Sequence, residues 1–440
     1  MAFTHADQPP FDPPAGTGPV VGRTGEDDLP KVGASYIWLL VLAVFGSYMA
    51  LVTPISISLA IKVEQLAPAN EEYLGYITGA GAFTALIASP LLGMLSDRTR
   101  SRFGRRRPYI VGLTVVGSLA LVVMAQASSI LVLGLGWMLA QLGWGGIMGL
   151  LIASQADRLP ESQRGKVSGL SGVVQQLAPV SGTMMAGGLA GNHLLLFLVP
   201  GGIGVLAMVA FACFVREPDS RDLPATTTRL TVLSLVRVYL FDPRQNPDFA
   251  WNWLGRLLFM TGLTFNTTFT AFFLADRMDV SVAEVAGIIA VFGLGGIIAA
   301  SAGAIGGGFL SDKLRRRRVF VLLGGAVVAV GAVVMALSSS VPVILGCSIL
   351  VSFGIGIFSA VDMALALDVL PDRDAEAGRY VGIVGFSTSL AQGVAPLIAP
   401  LILAIGASGG EKNYTLLYLI AGALTLASGL VVLLRVKSVR

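Results

Sequence analysis

Gly93-Met-Leu-Ser-Asp-Arg-Thr-Arg-Ser-Arg-Phe-Gly-Arg-Arg-Arg-Pro108 lies between two long apolar runs and holds six arginines: Arg98, Arg100, Arg102, Arg105, Arg106 and Arg107. A lone arginine at the centre of a bilayer costs at least about 2.5 kcal/mol. Six together must form a loop on one side of a membrane. A weaker copy, Gly308-Phe-Leu-Ser-Asp-Lys-Leu-Arg-Arg-Arg-Arg318, recurs 215 residues later, counted from Asp97 to Asp312. One membrane bundle has been doubled, and each half carries a basic loop at the same place.

Composition agrees. The chain is 54% hydrophobic and 13% charged, where soluble globular proteins carry roughly 25% charged residues. A spanning helix needs about 20 apolar residues. Twelve candidates fall near 34–61, 73–95, 108–127, 131–155, 166–190, 193–215, 249–275, 282–309, 319–338, 341–367, 379–405 and 414–434. These runs are too long and continuous for alternating barrel strands. The expected fold is an all-α polytopic membrane protein with twelve transmembrane helices in two six-helix bundles. The expected division is a disordered N-terminal tail (1–32), a first bundle (33–215), a linker (216–248), a second bundle (249–436) and a short tail (437–440). The linker is rich in proline and charge, with an amphipathic helix expected near 229–240.

All but four of the 30 Lys and Arg fall on one set of loops. The exceptions are Lys62, Arg277 and Lys412 on the opposite loops, and Arg256 within a span. That asymmetry places the arginine loops and both termini in the cytoplasm. Topology alone accounts for the arginines, so nucleic-acid binding is excluded. Cys213 and Cys347 both lie in spans, which gives no disulfide framework and no metal site.

A second internal match supports the duplication. Leu142-Gly-Trp-Gly through Asp157-Arg-Leu-Pro160 pairs with Phe353-Gly-Ile-Gly through Asp368-Val-Leu-Pro371. Repeated bundles of this kind are a mark of secondary transporters.

Gly93, Asp97, Arg98, Gly104, Arg105 and Arg106 carry the loop signature of the major facilitator superfamily, which the chain resembles over residues 33–436. The lengthened form, Ser96-Asp-Arg-x-x-Ser-Arg-Phe-Gly-Arg-Arg-Arg-Pro108, is similar to the glycoside–pentoside–hexuronide and sucrose cation symporters. The resemblance implies a secondary active transporter that moves a sugar or glycoside with a proton or sodium ion by alternating access. It also implies a conformational latch of Gly93, Asp97, Arg98, Gly104, Arg105 and Asp312, with Asp97 facing the start of span 11. The chain departs from the family in span 4. Where plant-type sucrose symporters carry an acidic residue and a deeper arginine, it has Gln141 and Ile152.

Charges inside spans are rare here. Arg256 lies seven residues past Phe249, and Asp362 six residues before Asp368. At 1.5 Å per residue both sit roughly 10 Å from the cytoplasmic end. Equal depth on spans 7 and 10 suggests an ion pair, either coupling to a proton or cation or fixed and structural. Helical periodicity aligns Asn252, Arg256, Asn266 and Thr270 on span 7, Ser352, Ser359 and Asp362 on span 10, and Trp137, Gln141, Trp144, Met148 and Gln155 on span 4. Sugars need hydrogen-bonding groups and an aromatic face. Gln141 and Trp144 are therefore the expected sugar contacts, with Asn252, Arg256, Asn266 and Asp362 completing the site.

A proton-driven exporter is the alternative reading, carried by Ala178-Pro179 of span 5. No nucleophile–His pair, metal cluster or ATP-binding loop is seen, so an enzyme is not expected and no cofactor is implied. A monomer in a bacterial inner membrane is expected. The topology is testable with reporters. A fluorescent protein fused after Ser438 should mature in the cytoplasm, and alkaline phosphatase fused at Lys412 should be active. The reverse pattern would invert the assignment.

Overall fold

The computed structural model describes residues 30–215, 217, 219–221, 241–371, 373–406 and 412–438. The expected tail up to residue 29 and the expected amphipathic helix near 229–240 lie outside them. The described residues form helices joined by short loops. They are α1 (Ala34–Leu66), α2 (Tyr73–Arg98), α3 (Arg107–Ala125), α4 (Ile130–Arg158), α5 (Glu161–Leu189) and α6 (His193–Phe214). The second set is α7 (Pro247–Thr268), α8 (Val282–Leu314), α9 (Arg317–Leu337), α10 (Val341–Asp368), α11 (Arg373–Ala404) and α12 (Tyr414–Arg435). After α7 the chain bends by 46° into an outer arm, Thr270–Met278.

Among the described residues ten helices are long and apolar enough to cross a membrane, or eleven with the bent α7 pair. The twelfth rod, α5, falls short of that apolarity although it is 29 residues long. Arg164, Lys166, Gln175, Gln176 and several serines dilute it. Several helices outrun their expected ends, two of them past a residue of the expected latch. The second continues through Arg98, so Asp97 lies in its last turn rather than beyond it. The eighth continues through Leu314, which takes in Asp312.

Each half repeats one packing scheme. In the first, α1 packs on α5 and α6, α3 on α4 and α6, and α2 on α4. In the second, α7 packs on α11 and α12, α9 on α10 and α12, and α8 on α10. The halves meet along two seams, α2 with α11 and α5 with α8.

Those seams are tight at one end only. Gly75 and Gly79 bring α2 onto α11, where a Cβ on Gly75 would stand 2.3 Å from the Pro396 carbonyl. Gly293 of α8 takes Val180 of α5. Small residues let helices approach closely where no hydrophobic force acts between them. Toward the arginine loops, Gly165, Gly169 and Gly172 of α5 and Gly382 and Gly385 of α11 face open space. The far face is closed and the basic face is open.

Polar contacts seal the far face. Lys412 Nζ lies 2.7 Å from Glu72 Oε2. Glu64 accepts from the backbone N–H of Val282 at 3.1 Å, at the positive end of α8. Between these contacts sits Glu71, in the loop joining α1 and α2. Its Oε2 is buried without a partner. Burial first, and then the charge of Asp276, push its carboxyl up to about 7. Lys412 opposes the rise, while Glu72 and Glu64 add smaller increments.

A carboxyl raised by closure binds its proton more tightly when the face is shut. It favours closure fully below the usual carboxylate range, and the contribution is lost as pH rises through about 7. Spin labels on Ala69→Cys and Ser339→Cys should report a longer distance at about pH 8 than at about pH 6. Glu71→Gln should abolish that dependence. A distance that ignores pH in the unsubstituted protein would contradict the linkage.

Candidate functional site

Between the halves lies a cavity of about 510 Å³. The first half contributes Leu51, Val52, Ile55, Thr78, Trp137, Gln141, Gly145 and Met148 among its lining. The second contributes Met260, Leu263, Thr264, Thr267, Ser389, Gln392 and Pro396. No charged side chain lines it among the described residues.

Two π-helical turns shape this wall: Pro54–Ser58 in α1 and Gln141–Gly145 in α4. Each places residues on the cavity, Ile55 from the first and Gln141 and Gly145 from the second. A π turn holds one residue more than an α turn, so it rotates everything after it by about 100°. The lining residues of α4 are accordingly 137, 141, 145 and 148.

That rotation removes Trp144 from the expected sugar face. Its side chain is fully buried. Its indole packs against α3 and α6, where added Cβ atoms on Gly117 and Gly204 would stand 2.7 and 3.0 Å from the ring. Trp137 stands in the cavity wall and is fully buried as well, its Nε1 set against Gly81, whose Cβ would fall 2.2 Å from it. The Trp137 N–H has no hydrogen-bond partner. The seams bring Gln392 and Ser389 of α11 to the same cavity, and no periodicity argument within one helix singled them out.

The intramembrane charges meet. Arg256 Nη1 donates to Asp362 Oδ2, and Arg256 Nε donates to Thr388 Oγ1 of α11 at 3.4 Å. Asp362 is fully buried, and its Oδ1 has no partner. Phe259 stacks on Phe358 with centroids 3.5 Å apart, one turn deeper between the same helices. The pair lies behind the cavity wall, and neither member lines the cavity. Asn252 is buried with both amide atoms unpartnered, and Asn266 is buried with its side-chain nitrogen unpartnered and its backbone carbonyl accepting from the Tyr418 hydroxyl. Of the six residues expected to bind substrate, Gln141 alone lines the cavity.

On the basic face, the predicted latch residues take part in a larger network. Asp97 accepts from Arg106 at 2.6 Å and lies 3.9 Å from Arg105. Asp157 accepts from Arg105 at 2.6 Å and from Arg106 at 3.2 Å. Arg106 also reaches Ser96 and, at 3.4 Å, the carbonyl of Gly93. Arg98 ends α2. Gly104 has φ +85°, and a Cβ there would collide with Glu217 at 2.2 Å. Glu217 needs that space, because its Oε2 accepts from the backbone N–H groups of Arg106 and Arg107 at the start of α3. The second half repeats the triad, with Arg317 between Asp312 at 3.0 Å and Asp368 at 2.6 Å. Asp157, Asp368, Arg317 and Glu217 were not singled out as site residues. The internal match around Asp157 and Asp368 was the available signal for the two aspartates.

Comparisons with known proteins agree with this geometry. A solved structure of the nucleoside transporter NupG superposes with a TM-score of 0.70 at 11% identity, covering 92% of this chain and 98% of that one. A bacterial homologue of the human lysosomal transporter Spinster, inward-facing and unoccupied, gives 0.65 at 15% identity, with 92% and 96% covered. At these identities the likeness is one of fold. Among curated proteins, an uncharacterised transporter of Bacillus subtilis, YfiU, is 31% identical over 158 residues, 34% of this chain and 30% of that protein. The general alpha-glucoside permease of Schizosaccharomyces pombe is 28% identical over 111 residues, 24% and 19% of the two chains. Mouse solute carrier family 45 member 3 is 38% identical over 58 residues, 13% and 10% of the two chains. The matches span about a third or less of the length of these curated relatives. The Major Facilitator Superfamily model matches residues 37–306 and 297–440, so this chain, a multi-pass membrane protein and not an enzyme, belongs to the Major Facilitator Superfamily.

Proposed function

We propose that this transporter takes up an uncharged, hydroxylated solute, a sugar or glycoside, by symport with a proton. The observation that carries the reading is the cavity itself. Its lining is neutral, with amides from both halves (Gln141 and Gln392) and hydroxyls (Thr78, Thr264, Thr267 and Ser389). The two amides make no protein hydrogen bond, which leaves them for solute hydroxyls. An ionic substrate would enter a neutral site without a counter-charge, at a desolvation cost that nothing in the lining offsets. The partial likeness to an alpha-glucoside permease points the same way.

Coupling rests on Arg256. In the far-closed state it holds Asp362 of α10 and touches Thr388 of α11. Ser389, the next residue, lines the cavity. Protonation of Asp362 cancels the charge that holds Arg256 and releases its hold on α10. Movement of α11 then passes to α2 through the Gly75 and Gly79 seam. On the orientation set by the arginine loops, the open face is cytoplasmic. Asp97 and Arg98 stand at its mouth, and in our reading they latch that face when the transporter turns outward.

Reconstituted protein should accumulate labelled mono- or disaccharide when an inward proton gradient is imposed. Asp362→Asn should lose accumulation but keep downhill exchange. Gln392→Ala should weaken uptake by about tenfold, one 1.4 kcal/mol step. Accumulation driven by a sodium gradient alone would replace the proton as coupling ion. Gradient-driven efflux of apolar cations, with no sugar uptake, would favour the exporter, for which the Leu51, Val52, Ile55, Met260 and Leu263 side of the cavity is suited.

A further inference from the structure

The two halves repeat their basic-face architecture but not the carboxylates placed around it. Placing Arg317 on Arg106, each the centre of its Asp–Arg–Asp triad, aligns Arg315 with Gly104. Both adopt a left-handed backbone, φ 52° and 85°. The same register aligns Arg316 with Arg105 and Arg318 with Arg107.

In the first half Asp97 and Asp157 pair with Arg105 and Arg106, and Glu217 accepts from the backbone of Arg106 and Arg107, while Arg98, Arg100 and Arg102 precede the aligned turn. Glu217 comes from the segment that follows α6, and its carboxylate sits on the first two amides of α3. Among the described residues the segment that follows α12, Val436-Lys-Ser438, brings no side-chain carboxylate. Its amides instead donate to Asp248 of α7. The corresponding amides, of Arg317 and Arg318 at the start of α9, have no such acceptor. Four guanidiniums, of Arg315 to Arg318, line one groove with two carboxylates, of Asp312 and Asp368, and Asp248 lies close enough to Arg318 for the two charges to interact. Arg317 is held by both carboxylates, and Arg318 Nη1 donates to the Val436 carbonyl while its Nε is buried without a partner. Arg315 and Arg316 are exposed and make no ion pair.

These residues line one open groove of about 1080 Å³, whose other walls include Leu314, Val319 and Leu433. Phe309, Leu310 and Leu434 are exposed beside it. The groove therefore has a net positive head, at the level where α8, α9 and α12 leave the hydrocarbon, and an apolar flank running into it. We infer that this groove binds the phosphate of an anionic phospholipid, which takes the place that Glu217 fills in the first half. A phosphodiester oxygen on the α9 amides would accept two backbone N–H groups, as the Glu217 carboxylate does on α3. The free guanidiniums of Arg315 and Arg316 would hold the remaining oxygens, and the acyl chains would lie along Leu314 and Leu433. Basic pockets between spans on the cytoplasmic side suit such headgroups.

Arg315→Gln/Arg316→Gln tests this, because it removes the free charges and leaves the Asp312–Arg317–Asp368 triad intact. The full chain, purified in detergent, is titrated with phosphatidylglycerol or with phosphatidylcholine of the same acyl chains. Native mass spectrometry counts retained lipid, and thermal unfolding gives the linked stabilisation. The unsubstituted protein should retain phosphatidylglycerol in preference to phosphatidylcholine and unfold at higher temperature with it. The double variant should lose both the preference and the shift. Equal retention of phosphatidylglycerol by the double variant would place any lipid elsewhere and overturn the assignment. So would an equal stabilisation by inorganic phosphate with no preference between the two lipids, which would mark a site for free anions.

Discussion

A guanidinium in a membrane protein must reach water or find a carboxylate, and this structure is organised by that demand. Where the chain turns on the basic face, arginines reach water and fix which loops stay on that side. Where they fold back toward the helices, as Arg106 and Arg317 do, each is clasped by two aspartates from different helices. The clasp is structural as well as electrostatic. Arg106 ties the end of α2 to the end of α4 from the start of α3, and Arg317 does the same for α8, α10 and α9. Arg256, buried among helices, meets the demand with Asp362 alone. A triad shares one cation between two anions and keeps a partner if one contact opens. The single intramembrane pair has no such reserve, so one proton on Asp362 changes its character entirely.

Much of this was legible in the sequence because charge in hydrocarbon is so costly that its positions carry information. The duplicated loops, the division into halves and the equal depth of Arg256 and Asp362 all follow from that cost. The cavity was less legible, for two physical reasons. Periodicity assumes an unbroken helix, and the π turn at Gln141–Gly145 breaks it. Trp137 and Trp144 share a face on a regular helix and lie on different faces here. Leu142-Gly-Trp-Gly was visible as a repeat, but its backbone register was not. The second reason is that a cavity between two bundles is made by contacts across the seams. Gln392 and Ser389 enter it because Gly75 and Gly79 draw α11 against α2, a tertiary fact with no local signature.

The repeat scaffold is closely kept while its chemistry has diverged. The same helix pairs pack in each half, and the same Asp–Arg–Asp clasp closes each basic turn. Both halves contribute neutral polar groups to the cavity, but among the described residues the first carries the two π turns and the second carries the intramembrane ion pair. Gly104 and Arg315 illustrate how one position diverges. Both are left-handed, a conformation glycine adopts without strain. In the first half the missing side chain makes room for Glu217. In the second an arginine occupies the position and adds charge instead.

Separating the ion pair from the cavity has a consequence for coupling. A charge placed inside the solute site would bind its ion and its solute in direct competition or direct contact, and it would restrict the solute to molecules that tolerate the charge. Here the charge stands one layer behind the wall, joined to it by Thr388 and the adjacent Ser389. In the symport proposed above, ion and solute would be coupled through the position of α11, the helix that also forms one of the two seams between the halves. A neutral cavity would then serve a range of uncharged solutes, with the proposed driving ion acting on the seam. Linkage of this kind requires a differential contact in each state. Arg256 is suited to provide one, since it bridges α7, α10 and α11 in the far-closed state and loses its anchor on α10 when Asp362 is neutral.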